Sequence, residues 1–195
     1  RKEIVNGSAK KGREFLGFDE YTPILTIMGG SLGAKKINEV VRESLKQLTS
    51  NYQVVHLCGK NNIDINLSDF PKYKQFEYVN DELKDILAAT DIVITRGGSN
   101  AIFEFLTLNI PMIIIPLGLN QSRGDQILNA RAFQSKGYSL TLEEELLNSK
   151  TLLEHLNTVY SNRDEYRKKM KASQNGEALQ ILLTEINGVN SPIRF

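Results

Sequence analysis

Short apolar runs alternate along this chain with longer stretches in which apolar residues return every three or four positions. Residues 24–28, 53–58, 74–79, 91–95, 111–116 and 138–141 read as strands. Between them, residues 34–48 predict a helix, since Ile37, Val40, Val41, Leu45 and Leu48 fall at helical spacing. Further helices are predicted over 81–89, from Ser99 to about Leu108, and over 125–136, and the remainder from Leu142 to Ile186 is helical and amphipathic. A polar stretch, 60–72, reads as a loop. The 111–116 run is apolar on both faces, as a central strand of a parallel sheet must be. Strand–helix units repeated with short connections predict an α/β fold, a doubly wound parallel sheet of about six strands.

Composition narrows the picture without changing it. The chain has 195 residues, enough for one compact domain, with a hydrophobic fraction of 41% and a net charge of +1. That charge gives no general pull toward nucleic acid or an anionic membrane surface. Cys58 is the only cysteine, so no intrachain disulfide can form, which suits a reducing compartment. The longest apolar run, residues 110–119, holds two prolines and reads as a buried strand with its exit loop rather than a membrane span. The chain opens on Arg1 with no initiator methionine and no signal peptide, so it is expected to be part of something longer.

The chemistry concentrates where strands turn into helices. In an open parallel sheet, ligands sit beyond the carboxyl ends of the strands. The first such turn is Gly29, Gly30, Ser31, Leu32, Gly33. Glycines admit a close ligand and the next helix start presents unpaired N–H groups, so the turn is a candidate diphosphate cradle. It reads equally as a tight turn with Ser31 as an N-cap. The spacing differs from the dinucleotide fingerprint, and the second strand ends without an acidic residue for a ribose, which disfavours NAD.

The second turn is Arg96, Gly97, Gly98, Ser99, Asn100, followed by Glu104. Glu104 is the sole charge between Ala101 and Pro116, and a carboxylate in such apolar surroundings needs a partner. Vicinal ribose hydroxyls would serve; so would an ion pair with Arg96 or Arg131. The third turn runs from Gly118 to Asn129 and is rich in groups able to read sugar hydroxyls, among them Asp125, Gln126 and Asn129. Asp125 would equally be an N-cap there.

Together, residues 28–34, 95–104 and 116–126 resemble the MurG family of bacterial glycosyltransferases, which move N-acetylglucosamine onto a lipid-linked muramyl-pentapeptide, and most closely its Gram-positive branch. The resemblance runs from Arg1 to about Ile186 but covers only the carboxy-terminal half of the family's two-domain architecture. It implies a GT-B fold, in which residues 1–187 form the Rossmann-like domain that binds the UDP-N-acetylglucosamine donor and 188–195 a disordered tail. By position, Arg1, Ser31 and the Gly29–Gly30–Gly33 turn would meet the diphosphate, and Val79 and Tyr78 the uracil. Glu104 would hold the ribose, and Gly98, Ser99 and Asn100 would face the diphosphate and sugar. Asp125, Gln126 and Asn129 would address the sugar.

The resemblance also implies what this chain lacks. The family's proposed catalytic base lies in the amino-terminal domain, so no catalytic residue is expected here and the chain alone is expected to bind donor without efficient transfer. His56 reads as a structural mid-strand residue and His155 as a helix-surface one. No Asp-x-Asp motif and no metal-spaced cluster occurs in the sequence, so neither metal nor cofactor is expected. The implied partners are the chain's own amino-terminal domain and, through it, the lipid-linked acceptor and the cytoplasmic face of the bacterial membrane, with no nucleic acid. A separate donor subunit of a two-chain transferase and a non-catalytic nucleotide-binding module are the alternatives. The run Arg163, Arg167, Lys168, Lys169, Lys171 is either an anionic-lipid patch or a solvated helix face interleaved with Asp164 and Glu165. The apolar positions 179–186 predict a final helix with a packing partner.

Overall fold

The computed structural model describes residues 2–30, 34–174 and 177–190, without the side chains of 177–181, 189 and 190. Six strands, β1 (Ile24–Met28), β2 (Gln53–Leu57), β3 (Tyr73–Phe76), β4 (Ile92–Thr95), β5 (Met112–Ile114) and β6 (Ser139–Thr141), form one sheet in the order β3-β2-β1-β4-β5-β6. Every pairing is parallel. The helices are α1 (Ala9–Leu16), α2 (Lys35–Glu43), α3 (Leu45–Asn51), α4 (Leu83–Ala89), α5 (Ser99–Thr107), α6 (Asp125–Lys136), α7 (Ser149–Ser161), α8 (Arg163–Ser173) and α9 (Glu177–Asn190).

Alternate residues of a strand point to opposite faces, and both faces here are covered. Ile24, Val55, Val93, Met112 and Ile114 pack with Leu16, Ile86, Phe105, Phe133, Met170, Leu182 and Ile186 in one layer. Leu25, Ile27, Val54, Ile92, Ile94 and Ile113 pack with Ile37, Val41, Leu48, Leu152 and Leu156 in the other. This is why the central strands β4 and β5 are almost wholly apolar rather than alternating, while the edge strands β3 and β6 carry polar residues. The connections run outward from the middle, β1 to β3 one way and β4 to β6 the other, so the chain reverses between β1 and β4 and leaves a crevice at their carboxyl ends.

The structure departs from the sequence pattern in four places. The helix over 34–48 is two helices, because Ser44 turns its hydroxyl back onto Val40 O at 2.7 Å and across to Ser149 Oγ at 2.9 Å. The amphipathic remainder is divided by a 3-10 turn, Glu144–Leu146, by a capping box in which Asn148 and Thr151 hold the start of α7, and by Asn162 between α7 and α8. Ahead of the first strand, in a stretch to which the sequence analysis assigns no element, a 3-10 turn (Lys2–Asn6) and α1 form. Ser8 caps α1 through Lys11 N, and Gly17 closes it in the left-handed region at φ 68°. Finally, α9 runs to Asn190, past the boundary the sequence places at 187, and residues 191–195 lie outside the described residues.

The final helix has the partner its apolar positions require: Leu182 and Ile186 are buried in the first layer. The basic run on α8 is interleaved with acids, Arg167 reaching Asp91 at 3.4 Å and Asp164 at 3.6 Å and Lys169 reaching Glu165 at 3.7 Å. His56 is wholly buried on β2. Its ring nitrogens meet Tyr73 Oη and Asn38 Oδ1, each at 2.7 Å, and Asn38 donates onward to Cys58 O at 2.8 Å. This network ties α2 to the ends of β2 and β3.

Burial, helped by the nearby Arg42 charge, brings the His56 pKa down to about 3 from its ordinary 6.5. Folded His56 is therefore neutral while the unfolded chain protonates it below 6.5. Its contribution is fully present above that value and lost as the pH falls toward 3. We expect unfolding free energy from urea titrations to fall by about 1.4 kcal/mol per pH unit below 6.5 from this group alone. His56→Gln should flatten that slope.

Candidate functional site

The carboxyl edge of the sheet carries a cleft of about 1240 Å³. Its walls come from the ends of β1, β2 and β3, from α5, and from the two chain-terminal segments. At β1, Met28 and Gly30 line it, Gly30 at φ 100° where a side chain would be strained. Gly29 lies beside Gly30 and is buried. The cap position of α2 falls on Ala34, with no side-chain hydrogen bond, rather than on Ser31. Ser31 and Gly33, like Arg1, lie outside the described residues.

At β3 the strand ends at Phe76, so Tyr78 and Val79 stand on the turn beyond it rather than on the strand. Both line the cleft, Tyr78 69% exposed and Val79 half-buried against the core. On α5, Ser99, Asn100 and Glu104 line the same space beside Phe103 and Thr107. Gly98 is the N-cap of α5 and offers no side chain, which leaves the first N–H groups of that helix facing outward unpaired by a cap. Glu104 is half-buried rather than deeply buried. Arg96, one of its two candidate ion-pair partners, is instead bound to Glu144 at 2.9 Å.

The third turn behaves differently from the sequence reading. Gly124, at φ 86°, holds the N-cap position of α6, and Asp125 is the first residue inside the helix. Gln126 Oε1 accepts from Leu117 N at 3.0 Å and from Gly97 N at 3.3 Å. Asn129 is 1% exposed and donates from Nδ2 to Gly97 O at 2.9 Å. In this structure, then, Gln126 and Asn129 tie the second turn to the third, and neither they nor Asp125 line the cleft.

The brace explains Gly97 itself. A Cβ there would come within 2.6 Å of Gln126 O, so α6 can approach the turn only because residue 97 has no side chain. The cleft also has walls that sequence reading missed, Lys2, Ile4 and Val5 from the amino-terminal turn and Leu183 and Asn187 from α9. No local motif announces them, because they come to one cleft only through the tertiary fold.

The strand order, the crevice between β1 and β4 and the glycine-opened helix starts define a Rossmann-like, ligand-binding α/β domain. The chain overlays the crystal structure of Acinetobacter baumannii MurG with a TM-score of 0.68 at 23% identity, covering 95% of this chain and 54% of that one. It overlays the calicheamicin glycosyltransferase CalG4 with a TM-score of 0.65 at 15% identity, covering 88% of this chain and 42% of that one.

Residues 24–182 match the glycosyltransferase family 28 C-terminal domain, and the chain belongs to that family. It is 52% identical over 187 residues to a Bacillus cereus protein named UDP-N-acetylglucosamine–N-acetylmuramyl-(pentapeptide) pyrophosphoryl-undecaprenol N-acetylglucosamine transferase 2, covering 96% of this chain and 53% of that protein. A Geobacillus thermodenitrificans transferase of the same name, without the number, is 50% identical over 186 residues, covering 95% of this chain and 52% of its own length. The chain thus spans about half the length of the curated relatives it matches.

Two neighbouring glycines make the brace testable. Gly97→Ala should destabilise the domain by about 2–3 kcal/mol, since the clash is with backbone rather than a movable side chain. Gly98→Ala, with nothing within 4 Å and φ −64°, should cost no more than about 1 kcal/mol. Urea unfolding of the two variants checks the difference.

Proposed function

We propose that this chain is the donor-binding half of an inverting UDP-N-acetylglucosamine transferase, the one that glycosylates the lipid-linked muramyl-pentapeptide of peptidoglycan synthesis. The observation that carries the reading is the convergence of Gly30, Tyr78, Val79, Ser99, Asn100 and Glu104 on one cleft at the sheet's reversal point. The names of relatives about half identical to the chain supply the donor and the acceptor.

The parts divide the donor by chemistry. Tyr78 and Val79 form an apolar lip with backbone groups for a uracil. Glu104 offers two carboxylate oxygens at the spacing of vicinal ribose hydroxyls, each accepting one hydrogen bond. The amino end of α5 presents N–H groups and a partial positive charge to the diphosphate. The same field stabilises the negative charge that grows on UDP as the acceptor hydroxyl attacks the anomeric carbon in line and the UDP oxygen departs. The start of α6 is assigned to the sugar, Asp125 directly and Gln126 and Asn129 by fixing that helix start against Gly97. Arg1, Ser31 and Gly33 are assigned to the diphosphate.

Deprotonating the acceptor needs a base, and neither histidine reaches the cleft. His56 is wholly buried, and His155 bonds Thr151 O on α7. We therefore assign the base, the acceptor site and contact with the cytoplasmic membrane face to the other half of the full enzyme. No helix among the described residues is long and apolar enough to cross a membrane.

Calorimetry with UDP-N-acetylglucosamine, UDP-glucose and NAD, without added divalent metal, tests the reading. We expect UDP-sugar binding, and Glu104→Ala should weaken it roughly 10–100-fold, the worth of hydrogen bonds to a charged group. Tight NAD binding instead would overturn the assignment. Supplying the missing half should restore transfer; full turnover of lipid-linked acceptor by this chain alone would refute the division of labour.

A further inference from the structure

The 3-10 turn Glu144–Leu146, between β6 and α7, lines no part of the cleft, yet Glu144 bonds Arg96 at the second turn and Lys36 at the start of α2. Glu144 Oε1 accepts from Arg96 Nη2 at 2.9 Å, with the two side chains only 13% and 10% exposed. Arg96 in turn donates from Nη1 to Ile115 O at 3.2 Å, where β5 leads into the third turn. The Glu144 carbonyl accepts from Lys36 Nζ at 2.6 Å, in the first turn of α2. Next to it, Glu145 Oε1 lies 3.0 Å from where a Cβ on Gly118 would stand.

A nearly buried ion pair is a poor device for stability, because its desolvation cost is comparable to its Coulombic gain and an apolar pair of the same shape does as well. What such a pair does offer is a fixed geometry. We infer that Glu144 is a positioning residue for the donor. Through Arg96 its carboxylate sets the spacing between the turn before α5, assigned to the diphosphate, and the strand end that leads into the loop assigned to the sugar, while its backbone carbonyl holds Lys36 of α2. The inference rests on the donor-binding reading above and extends it to a residue outside the cleft.

The geometry makes the effect local. Tyr78, Val79 and Glu104, which would hold the nucleoside, are not among the partners of Glu144, whereas the starts of α2, α5 and the third turn are linked to it. Removing the carboxylate leaves the Arg96 guanidinium without its counter-charge and free to release Ile115 O. The turns then lose their mutual register while the nucleoside end stays in place.

The experiment compares the 195-residue chain with Glu144→Ala and Glu144→Gln. Uridine binding is followed by NMR titration and UDP-N-acetylglucosamine binding by calorimetry. We expect uridine affinity within about twofold of the unaltered chain and UDP-N-acetylglucosamine binding about tenfold weaker in Glu144→Ala. Glu144→Gln should fall between, since it keeps an acceptor oxygen without the charge, and it carries the comparison alone should Glu144→Ala fail to fold. Equal weakening of both ligands would mark a general loss of structure and overturn the inference. So would unchanged or tighter UDP-sugar binding. If the unaltered chain binds neither ligand, the donor reading falls and takes this inference with it; if it binds both and the variants match it, only the inference falls.

Discussion

A parallel sheet delivers every strand's carboxyl end to the same edge, and in this protein that constraint governs everything else. Because β1 and β4 are neighbours while their connections leave in opposite directions, the loops after them diverge and cannot fill the space between. The crevice is therefore a consequence of chain path rather than of any residue placed to make it. The two apolar layers serve this arrangement. They hold β1, β2, β4 and β5 flat against helices on both sides, so the edge can carry glycines and polar groups without weakening the core.

Polar side chains then do what the sheet cannot, which is to fix loops of irregular backbone relative to one another. Gln126 and Asn129 satisfy the N–H and C=O of Gly97 from α6, and Gln126 also takes Leu117 N. Arg96 and Glu144 add a second, charged tie beneath them. An unpaired buried backbone group costs about as much as a lost hydrogen bond, so these amides stabilise the turns as well as shape them. Asn129 Oδ1 remains buried without a hydrogen-bond partner, so the brace does not use all of the side chain's capacity.

The cleft is open on the side where the chain's two ends meet. Val5, Tyr78 and Leu183 are exposed apolar residues along that rim, at 53%, 69% and 38%. Such an apolar rim fits the reading proposed above, in which a second domain faces the cleft.

The sequence by itself determined the six strands and the parallel α/β class, and it singled out the turns at the strands' carboxyl ends. Strands covered on both faces must be apolar throughout, and ligand-facing turns must open with glycine, and both requirements are written in adjacent residues. Glu104 could be singled out for the same reason, as one charge in an apolar stretch. The sequence did not reveal α1, a helix of eight residues that buries only Gly12 and Leu16 and is bounded by Ser8 and Gly17. Nor could it tell a sugar-reading amide from a bracing one. Gln126 and Asn129 have the same chemistry in either role, and only the approach of α6 to Gly97 decides which groups they meet. The ties from Glu144 to Arg96 and Lys36 span 48 and 108 positions of chain, and contacts of that range are fixed by packing geometry, which no local pattern encodes.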